Sequence, residues 1–433
     1  MAALYSVLIL IAVWCLLAPW HVIQILRGRL DLKALRQRLG RWDPMPRRTQ
    51  LRFVVHGVSV GEILSVEPLL AEITKRWPSV ELVVTTGTRE GAQVAQQLQR
   101  RHPEIQVIGY LPWDSRAAMR RWLQHCQPDL VITVETELWP NLFLESSELK
   151  IPVCIVNGRI YAEDMKFYKL LKFFFRRVLS CAAWIGVQDE TEKTRFIQIG
   201  APAGSIEICG NLKLDYPRLR GAAPSAWRQQ FNGAAFVLAA ASTHAPEEKL
   251  ILGTFADLKA ILGNVKLILA PRHVNRAPVL ENLARRYGFD GVCCSRLSYR
   301  QNWEVMILDE VGRLSAFYPH SDVVIVGGTF AHHGGHNFLE AAAHECAIVM
   351  GPHTANFEHL VQQFRAGQGL LQLNRMENLT PALVRLFQDD FARRELARNA
   401  RLLLETMRGG SGLCAQALAR ILDVQCGQAQ ELR

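Results

Sequence analysis

The sequence predicts an α/β protein with two similar open-sheet domains in tandem. Short apolar runs that suit strands alternate with helical patterns along most of the 433 residues. Runs such as Leu130–Val134 are apolar at every position, which is typical of parallel strands covered by helices on both faces. The alternation stops at 215–226, a stretch with two prolines and several small residues, and then starts again. We therefore predict an N-terminal domain over 29–217 and a C-terminal domain over 227–433.

The predicted strands follow from these apolar runs. In the first domain they are 53–55, 82–84, 107–110, 130–134, 153–156, 185–187 and 206–208, and in the second 236–239, 265–269, 305–308, 323–326 and 347–350. A helix is predicted over 63–76. Ligands of open parallel sheets bind beyond the carboxyl ends of the strands. Two such domains facing each other would form a cleft, with a donor on one side and an acceptor on the other.

The first 28 residues form a separate segment. Residues 2–26 carry no formal charge and are mostly apolar, and six lysines and arginines follow between 27 and 41. Roughly 20 apolar residues suffice to span a bilayer, and a basic flank stays in the cytosol. This predicts a membrane anchor over 1–28 with both domains on the cytosolic face. A buried helix and a helix lying in the interface plane are the alternatives.

Charge and cysteine usage narrow the class of partner. The formal net charge of +10 favours an anionic partner, which could be nucleic acid, a phosphate-bearing substrate or an acidic membrane surface. The ten cysteines form no C-x-x-C pair and no zinc-like spacing, which fits a reducing cytosol.

The most informative loop is 327–340, G-G-T-F-A-H-H-G-G-H-N-F-L-E, between an apolar strand and an alanine-rich helix. Glycines let the backbone approach an anion closely, and the amides of a first helical turn point towards it. We expect this loop to cradle a phosphate. Its three histidines, His332, His333 and His336, have no carboxylate or cysteine at ligand spacing, so we expect no metal site.

In the first domain, charged residues follow several strand ends. Glu62 stands in a glycine-bearing loop at a helix start and could act as a general base, or be an ordinary first-turn glutamate. Glu135 follows another strand, whereas Glu137 is assigned to capping or surface solvation. Arg159 could meet an anion or form a salt bridge. Lys213 could neutralise developing charge or simply be solvated.

In the second domain, 241–244, 271–273 and 309–314 also follow strand ends. The first of these reads as a helix cap before the acidic pair Glu247 and Glu248. Arg272 could hold a phosphate through a forked contact. The third is predicted to open a helix. No P-loop and no dinucleotide fingerprint is present.

A basic, aromatic segment lies at 165–179, M-K-F-Y-K-L-L-K-F-F-F-R-R-V-L. Such a surface can lie on an anionic bilayer or hold a phosphorylated lipid. A core helix with snorkelling lysines is the alternative.

Together these motifs resemble the 3-deoxy-D-manno-octulosonic acid (Kdo) transferases of lipopolysaccharide synthesis. The matching motifs are H-G-V-S-V-G-E (56–62), E-T-E-L-W-P-N (135–141), N-G-R-I (157–160), G-N-L-K-L-D (210–215), S-T-H-x-x-E-E (242–248), P-R-H (271–273) and G-G-H-N-F-L-E (334–340). The order and spacing of these motifs match those of the family as far as about residue 357. The variants G-V-S-V-G-E, V-N-G-R-I, D-E-V-G and G-G-T-F are more similar to the chlamydial branch than to the enterobacterial one.

The resemblance implies a GT-B fold and inverting transfer of Kdo from CMP-Kdo to a lipid A precursor (lipid IVA), in one or several additions. It implies no metal, no cofactor and no nucleic-acid partner, and it places the enzyme on the cytoplasmic face of the inner membrane, against anionic lipid. Glu62 matches the general base, and Glu135 and Lys213 match positions that stabilise the transition state. The segments matching CMP-binding positions are Pro271, Arg272, Val311, Gly312, Arg313, Asn337, Phe338, Leu339 and Glu340. Further candidates within the motifs are Ser59, Gly61, Arg159, Ser242, Thr243, His244, Gly335 and His336.

One position departs from the family pattern, and two other functions compete. Arg313 stands where the family commonly has a glutamate, which reverses a charge beside the nucleotide. We expect the site to survive, because backbone amides can make that contact. A sugar-nucleotide epimerase shares the GT-B architecture but does not explain the anchor. A non-catalytic membrane-surface binder leaves the strand-end motifs unexplained.

Overall fold

The computed structural model of the chain describes residues 32–45, 50–215, 236–297 and 303–431, together with Tyr5, Cys15, Ile23 and Phe231. The chain divides into two compact units, Met1–Tyr216 with Arg408–Arg433, and Pro217–Met407. Each unit is built on a seven-stranded parallel sheet. The predicted α/β class with two parallel-sheet domains is confirmed.

The first unit contains all seven strands predicted for it, most of them longer than predicted. They are β1 Arg52–Gly57, β2 Glu81–Thr86, β3 Ile105–Tyr110, β4 Leu130–Val134, β5 Val153–Gly158, β6 Ala182–Val187 and β7 Ile206–Ile208. The helices are α1 Leu32–Arg38, α2 Val60–Ser65, α3 Glu67–Arg76, α4 Arg89–Gln99, α5 Arg116–Cys126, α6 Pro140–Glu148, α7 Met165–Leu170, α8 Lys172–Leu179 and α9 Glu190–Ile199. The strand order is β3-β2-β1-β4-β5-β6-β7.

The second unit has strands β8 Phe236–Thr243, β9 Val265–Pro271, β10 Gly291–Cys293, β11 Val305–Ile307, β12 Val323–Val326, β13 Ala347–Met350 and β14 Leu371–Gln372. The helices are α10 Glu247–Leu262, α11 Ala277–Arg286, α12 Leu339–Ala343, α13 Glu358–Ala366, α14 Leu379–Gln388 and α15 Asp390–Met407. A last helix, α16 Gly410–Glu431, belongs to the first unit. The strand order here is β10-β11-β9-β8-β12-β13-β14.

The continuously apolar strands are explained by cores on both faces of each sheet. In β1, Val54 packs in one core with Trp122. Its neighbours Phe53 and Val55 lie in the opposite core. Successive side chains of a strand point to opposite faces, so a strand covered on both sides is apolar throughout.

The strand orders locate the crevices where ligands of such sheets bind. Order reverses between β1 and β4 in the first unit, and between β8 and β12 in the second. Connections diverge at these switch points and leave an opening beyond the carboxyl ends of the strands. Glu62 lies in the first turn of α2, directly after β1, and Glu135 directly follows β4, whereas the loop after β12 is the glycine-rich one. The topology therefore gathers the predicted residues of each unit at one edge.

Four elements differ from the prediction. The helix expected over 63–76 is two helices, α2 and α3, with Pro68 in the first turn of α3, where proline favours a new start. Residues 309–314 open no α-helix but lead into two 3₁₀ turns, Leu314–Ala316 and Tyr318–His320. Strands β10 and β14, three and two residues long, were not predicted.

The end of the chain also differs from the predicted second domain, 227–433. Helix α16 packs with α3, and its Cys414 and Leu418 lie in the same core as Leu69 and Leu70 of that helix. These buried apolar side chains hold the C-terminal helix on the first unit.

The predicted anchor over 1–28 lies outside the described residues, apart from Tyr5, Cys15 and Ile23, and the predicted linker is described only at Asp215. Tyr5 donates a hydrogen bond to Asp114 of the first unit at 2.8 Å. Within the part of the chain that the structure describes, no helix combines the length and apolarity needed to cross a membrane. The anchor stays a prediction.

Candidate active site

The carboxylate of Glu62 folds back onto the loop between β1 and α2. Val58 N donates to Oε2 and the Ser59 hydroxyl donates to Oε1, both at 2.7 Å. Ser59 Oγ in turn accepts from Glu62 N at 3.3 Å, which makes a capping box. Burial raises the pKa of Glu62, and the bonds from Ser59 and Val58 oppose that rise. Gly61, another predicted site residue, is exposed beside it.

Glu135 and Lys213 are brought into direct contact. Lys213 lies in a 3₁₀ turn after β7, and its Nζ lies 2.7 Å from Glu135 Oε1. Asn157 at the end of β5 joins the two segments, since its Nδ2 donates to Glu135 Oε1 at 3.4 Å and its Oδ1 accepts from Leu212 N at 3.0 Å. Asn157 was not among the predicted residues.

The backbone at these strand ends is left-handed. The φ angles of Glu135 and Asn157 are 60° and 56°, values that asparagine tolerates and glutamate rarely adopts. Such conformations persist where surrounding contacts fix them, and they are common at functional sites.

Glu137 is not a solvated surface residue, which corrects the prediction. Its side chain is 18% exposed, and its Oε2 accepts from Trp139 Nε1 at 2.7 Å. Burial and the neighbouring Glu62 raise the pKa of Glu137 to about 8. The E-T-E sequence gives no sign of this, because it depends on the left-handed turn at Glu135.

Glu62, Glu135 and Glu137 form what we call the acidic cluster. His56 lies beside its Glu137. Its Nδ1 is 2.9 Å from Thr85 Oγ1 and 3.2 Å from the Thr85 carbonyl. Its Nε2 lies 3.9 Å from Glu137 Oε2. Complete burial lowers the pKa of His56 to about 3, so its ring is neutral at physiological pH.

The contacts described for Arg159 do not join it to the acidic cluster. Its guanidinium lies over the Tyr161 ring, 4.5 Å from the centroid. Its carbonyl accepts a hydrogen bond from the Thr136 hydroxyl. Its predicted role towards an anion stays a prediction.

In the second unit, Glu247 organises the glycine-rich loop from within. Its carboxylate accepts from His244 N and Gly328 N at 2.7 Å and from Ala331 N at 3.3 Å. These amides are thus engaged by a buried carboxylate, and the early part of the loop is not the anion cradle that we expected. The sequence pattern predicts ordinary first-turn acids at Glu247 and Glu248, yet both are buried.

The later part of the loop leads into α12. Asn337 Oδ1 accepts a hydrogen bond at 3.0 Å from the backbone N of Leu339, the first residue of this short helix. Phe338 and Leu339 are buried, so only their backbone could meet a ligand. Glu340 is half-buried. Gly335 has φ 82°, and its N donates to Gly328 O at 3.1 Å.

Histidines from two loops of the second unit meet. His244 Nε2 lies 2.7 Å from His336 Nε2, and the His244 ring stacks on His333 with centroids 4.0 Å apart. Burial and the neighbouring histidines lower the pKa of His244 to about 4, and burial with Arg272 lowers that of His336 to about 4. In the described ranges no group of histidine, cysteine and carboxylate side chains fits a metal ion.

The remaining residues predicted here follow β8 and β9. Ser242 has φ 57°, and Gly327 approaches its carbonyl so closely that a side chain at 327 would clash. The Thr243 hydroxyl donates to Glu248 at 3.3 Å. Pro271 is buried at the end of β9, and Arg272 is exposed.

The segment 311–313 forms a turn with Gly312 at φ 83°. Val311 is 88% exposed. Arg313 Nε donates to Glu310 Oε2 at 2.7 Å, so the charge that departs from the family pattern is paired within its own turn. Both side chains are nearly half exposed.

The segment 165–179 is partly a core element and partly an exposed basic surface, so both interpretations of its sequence apply. Phe174, Phe175, Val178 and Leu179 are buried. Phe167, Leu170 and Phe173 are 57%, 83% and 79% exposed. The exposed cations beside them are Lys166, Lys169, Lys172, Arg176 and Arg177. We call these eight exposed residues the basic-aromatic surface.

Comparisons with known proteins agree with this geometry. A family model described as 3-deoxy-D-manno-octulosonic-acid transferase (kdotransferase) matches residues 33–216. The chain is 30% identical over 379 residues to a Kdo transferase of Haemophilus influenzae, covering 86% of this chain and 85% of that protein. It is 29% identical over 313 residues to one of Chlamydophila psittaci, covering 71% of each. These two identities do not separate a chlamydial from another branch.

A solved structure, a UDP-GlcNAc 2-epimerase from Neisseria meningitidis, is similar in fold. Its TM-score is 0.59 at 11% identity, covering 86% of this chain and all of that one. That likeness concerns the fold alone. The identity to the Haemophilus influenzae enzyme over most of both proteins carries the assignment: the chain belongs to the 3-deoxy-D-manno-octulosonic acid transferases, the glycosyltransferases that add Kdo in lipopolysaccharide biosynthesis.

Proposed function

We propose that this chain transfers Kdo from CMP-Kdo to a lipid A precursor. The observation that carries the proposal is the Glu135–Lys213 ion pair of the first unit, at 2.7 Å, with Glu62 and Glu137 within electrostatic reach of Glu135. A transferase needs a base for the acceptor hydroxyl and a cation near developing negative charge.

In the proposed reaction, Glu62 accepts the proton of the acceptor hydroxyl. The hydroxyl oxygen bonds to the anomeric carbon of Kdo while the bond from that carbon to the phosphate oxygen breaks. CMP leaves with the electron pair, and the single displacement inverts the anomeric configuration. Lys213, held by Glu135, stabilises charge in the transition state without a metal ion.

The donor is proposed to bind the second unit. Arg272 is exposed at the carboxyl end of β9, where a guanidinium can hold a phosphate through two N–H groups. The turn at 311–313 is likewise exposed to a ligand. Backbone amides near Asn337 would complete the CMP site, and no cofactor is required.

The acceptor is proposed to reach the first unit from an anionic membrane. The basic-aromatic surface presents apolar side chains ringed by cations, a pattern that suits an interface with acidic lipid. An N-terminal anchor in the inner membrane, with the catalytic units on the cytoplasmic face, would fit this orientation. Addition of more than one Kdo is compatible with the same site.

Replacing Glu62 with Gln tests the proposal. We expect turnover from CMP-Kdo to tetraacyl lipid A precursor to fall roughly 10²- to 10⁴-fold, the usual range for a general base, with donor affinity unchanged. Glu90→Gln is the matched control, because Glu90 is an exposed first-turn glutamate of α4. Near-normal turnover of Glu62→Gln would remove the base assignment. Product size, read from a radiolabelled donor, gives the number of Kdo units.

The epimerase alternative keeps the fold and changes the reaction. It is supported by the similarity to the epimerase fold. An epimerase converts a sugar nucleotide without any acceptor, so incubation with sugar nucleotide alone distinguishes the two functions.

A further inference from the structure

The last residue of the motif 210–215, Asp215, binds the start of the C-terminal helix α16. Its Oδ1 accepts a hydrogen bond from Gly409 N at 2.7 Å. Its Oδ2 accepts from Ser411 N at 2.7 Å and from the Ser411 hydroxyl at 2.6 Å. The first amides of a helix have no partner within the helix. Asp215 therefore caps α16, although Gly409 is 194 positions away in the chain.

Two further contacts seat the start of α16 on the same motif. Arg408 Nε donates to the Leu214 carbonyl at 3.1 Å. Gly410, the first residue of α16, lies so close to the chain before the motif that a Cβ at this position would be 2.6 Å from the Cys209 carbonyl oxygen. We call these contacts between 209–215 and 408–411 the α16 clamp.

The α16 clamp encloses the turn that carries Lys213. That turn is a 3₁₀ helix of three residues, Leu212–Leu214, and such a short helix has few hydrogen bonds of its own. Asn157 Oδ1 fixes its beginning by accepting from Leu212 N at 3.0 Å. The clamp fixes its end, through Leu214 and Asp215. The backbone of Lys213 is thus held from both sides by distant segments.

The side chain of Lys213 depends on this backbone. Its Nζ lies 2.7 Å from Glu135 Oε1, and the side chain is 34% exposed. A lysine side chain is long and flexible, so its amine is well placed only if the backbone that carries it is fixed. The chain leaves the first unit after Tyr216 and returns to it at Arg408, so the clamp fastens the returning chain within the first unit.

We propose that Asp215 is a positioning residue for Lys213. By capping α16 it fixes the turn that places the lysine amine beside Glu135. The inference rests on the proposed function, in which Lys213 stabilises the transition state. It makes the start of α16 part of the catalytic apparatus of the first unit. A cap that only stabilised the helix would affect unfolding and leave kcat of the folded enzyme unchanged.

Two glycines of α16 provide a matched pair of variants. Gly410→Ala and Gly412→Ala make the same change of helix propensity within the first three residues of the helix. A Cβ at 412 would face open space among the described residues, whereas one at 410 would displace the helix from Cys209. We expect Gly410→Ala to lower kcat roughly 10-fold with KM for CMP-Kdo nearly unchanged, as a displaced catalytic group does. Gly412→Ala should keep kcat within about twofold. Equal kcat values in the two variants would overturn the proposal.

A double-variant cycle tests whether Asp215 acts through Lys213. Asp215→Ala should lower kcat roughly 10- to 100-fold in the wild-type background. In a Lys213→Met background it should lower kcat no further, because the group that it positions is gone. Multiplicative losses would mean that Asp215 acts on the site by another route and would overturn the proposal. If Asp215→Ala does not fold, Asp215→Asn replaces it, since its carbonyl oxygen keeps part of the cap and the loss should be smaller but of the same kind.

Asp389→Ala is the control for the loss of an aspartate cap. Asp389 Oδ1 accepts from Ala392 N at 2.9 Å at the start of α15, in the second unit. This variant should lower the melting temperature and keep kcat within about twofold. A fall of kcat as large as that of Asp215→Ala would show that any lost cap impairs the enzyme, and would overturn the proposal.

Nuclear magnetic resonance of lysines methylated with carbon-13 separates this inference from the proposed function, because it needs no turnover. The Lys213 signal is identified by its absence from Lys213→Met. In Asp215→Ala it should move towards the signals of solvent-exposed lysines, and in Gly412→Ala it should stay in place. An unmoved signal in Asp215→Ala would overturn the inference. Failure of the wild type to transfer Kdo would overturn the proposed function and leave the spectra to decide whether Asp215 positions Lys213.

Discussion

Lys213 Nζ lies 2.7 Å from Glu135 Oε1, which joins two residues that are 78 positions apart in the chain. The lysine side chain is 34% exposed and the glutamate 10%. The pair is thus half sheltered from water, and its charges interact more strongly than on an open surface.

This pair predicts a non-additive effect on turnover. Lys213→Met and Glu135→Gln should each lower kcat roughly 10- to 100-fold, because each disturbs the same charge arrangement. The double variant should be little worse than the worse single one. Lys213→Met should also lower the free energy of unfolding by about 1–2 kcal/mol, less than for a fully buried pair. Multiplicative losses of kcat in the double variant would show that the two residues act separately.

The contacts and backbone conformation of Asn157 predict that two substitutions there will differ in stability but not in activity. Asn157→Ala loses the bonds to Glu135 and Leu212 and leaves a non-glycine residue at φ 56°. Asn157→Gly loses the same bonds but relieves the backbone, so it should be more stable than the alanine variant by about 1 kcal/mol.

Both variants at Asn157 should have similarly reduced kcat, since both release the Glu135 carboxylate. Thermal melts give the stability and initial rates give kcat. Recovery of kcat in Asn157→Gly would mean that the backbone conformation, not the amide, is what matters.

The strand ends made most of the first-unit site predictable. Parallel strands present their carboxyl ends at one edge, so Glu62, Glu135 and Lys213 could be placed near one another from sequence alone. Continuous apolar runs predicted twelve of the strands because both sheet faces are covered. Strands β10 and β14 were not predicted because they are too short to show an apolar pattern.

What could not be predicted depends on contacts between distant segments. The left-handed conformation of Glu135 brings Glu137 into the cluster, and no local sequence signal specifies it. Glu247 accepts a hydrogen bond from Gly328 N of the glycine-rich loop, which is 81 positions away in the chain. The amphipathic pattern of α16 shows that one face is buried but not which unit covers it.

The surroundings of Arg313 predict that its substitution will be tolerated, although this residue departs from the family pattern. Its charge is paired with Glu310 at 2.7 Å on an exposed turn. Arg313→Ala should therefore change CMP-Kdo affinity only a few-fold, whereas Arg272→Ala should weaken it substantially by removing a phosphate contact. Titration calorimetry measures both. Complete loss of donor binding in Arg313→Ala would show that its side chain is required.

His56 predicts acid sensitivity of the first unit. Burial lowers the pKa of His56 from 6.5 to about 3 in the folded state. The unfolded chain then binds a proton below pH 6.5 that the folded chain does not bind. The stability contributed by a neutral His56 is fully present above pH 6.5 and is lost as pH falls from 6.5 towards 3.

His56→Asn keeps a donor near the Thr85 carbonyl but does not titrate. The wild-type free energy of unfolding should fall relative to this variant by up to roughly 1.4 kcal/mol per pH unit between pH 6 and 4. Urea denaturation at several pH values gives the difference. Parallel pH dependences of the two proteins would mean that His56 is protonated in the folded state.

The basic-aromatic surface predicts local immersion in anionic lipid. Phe173 is 79% exposed among cations, and Phe391 of the second unit is 76% exposed. In a background in which Cys15, Cys181 and Cys426 are replaced by serine, a polarity-sensitive dye on Phe173→Cys should shift to the blue with vesicles containing phosphatidylglycerol. It should shift little with phosphatidylcholine alone, and added salt should weaken the effect. The same dye on Phe391→Cys is the matched control and should not respond. Because the dye reports its own surroundings, a response at Phe173 cannot arise from an N-terminal anchor alone. Equal responses at both positions would contradict a dedicated membrane surface.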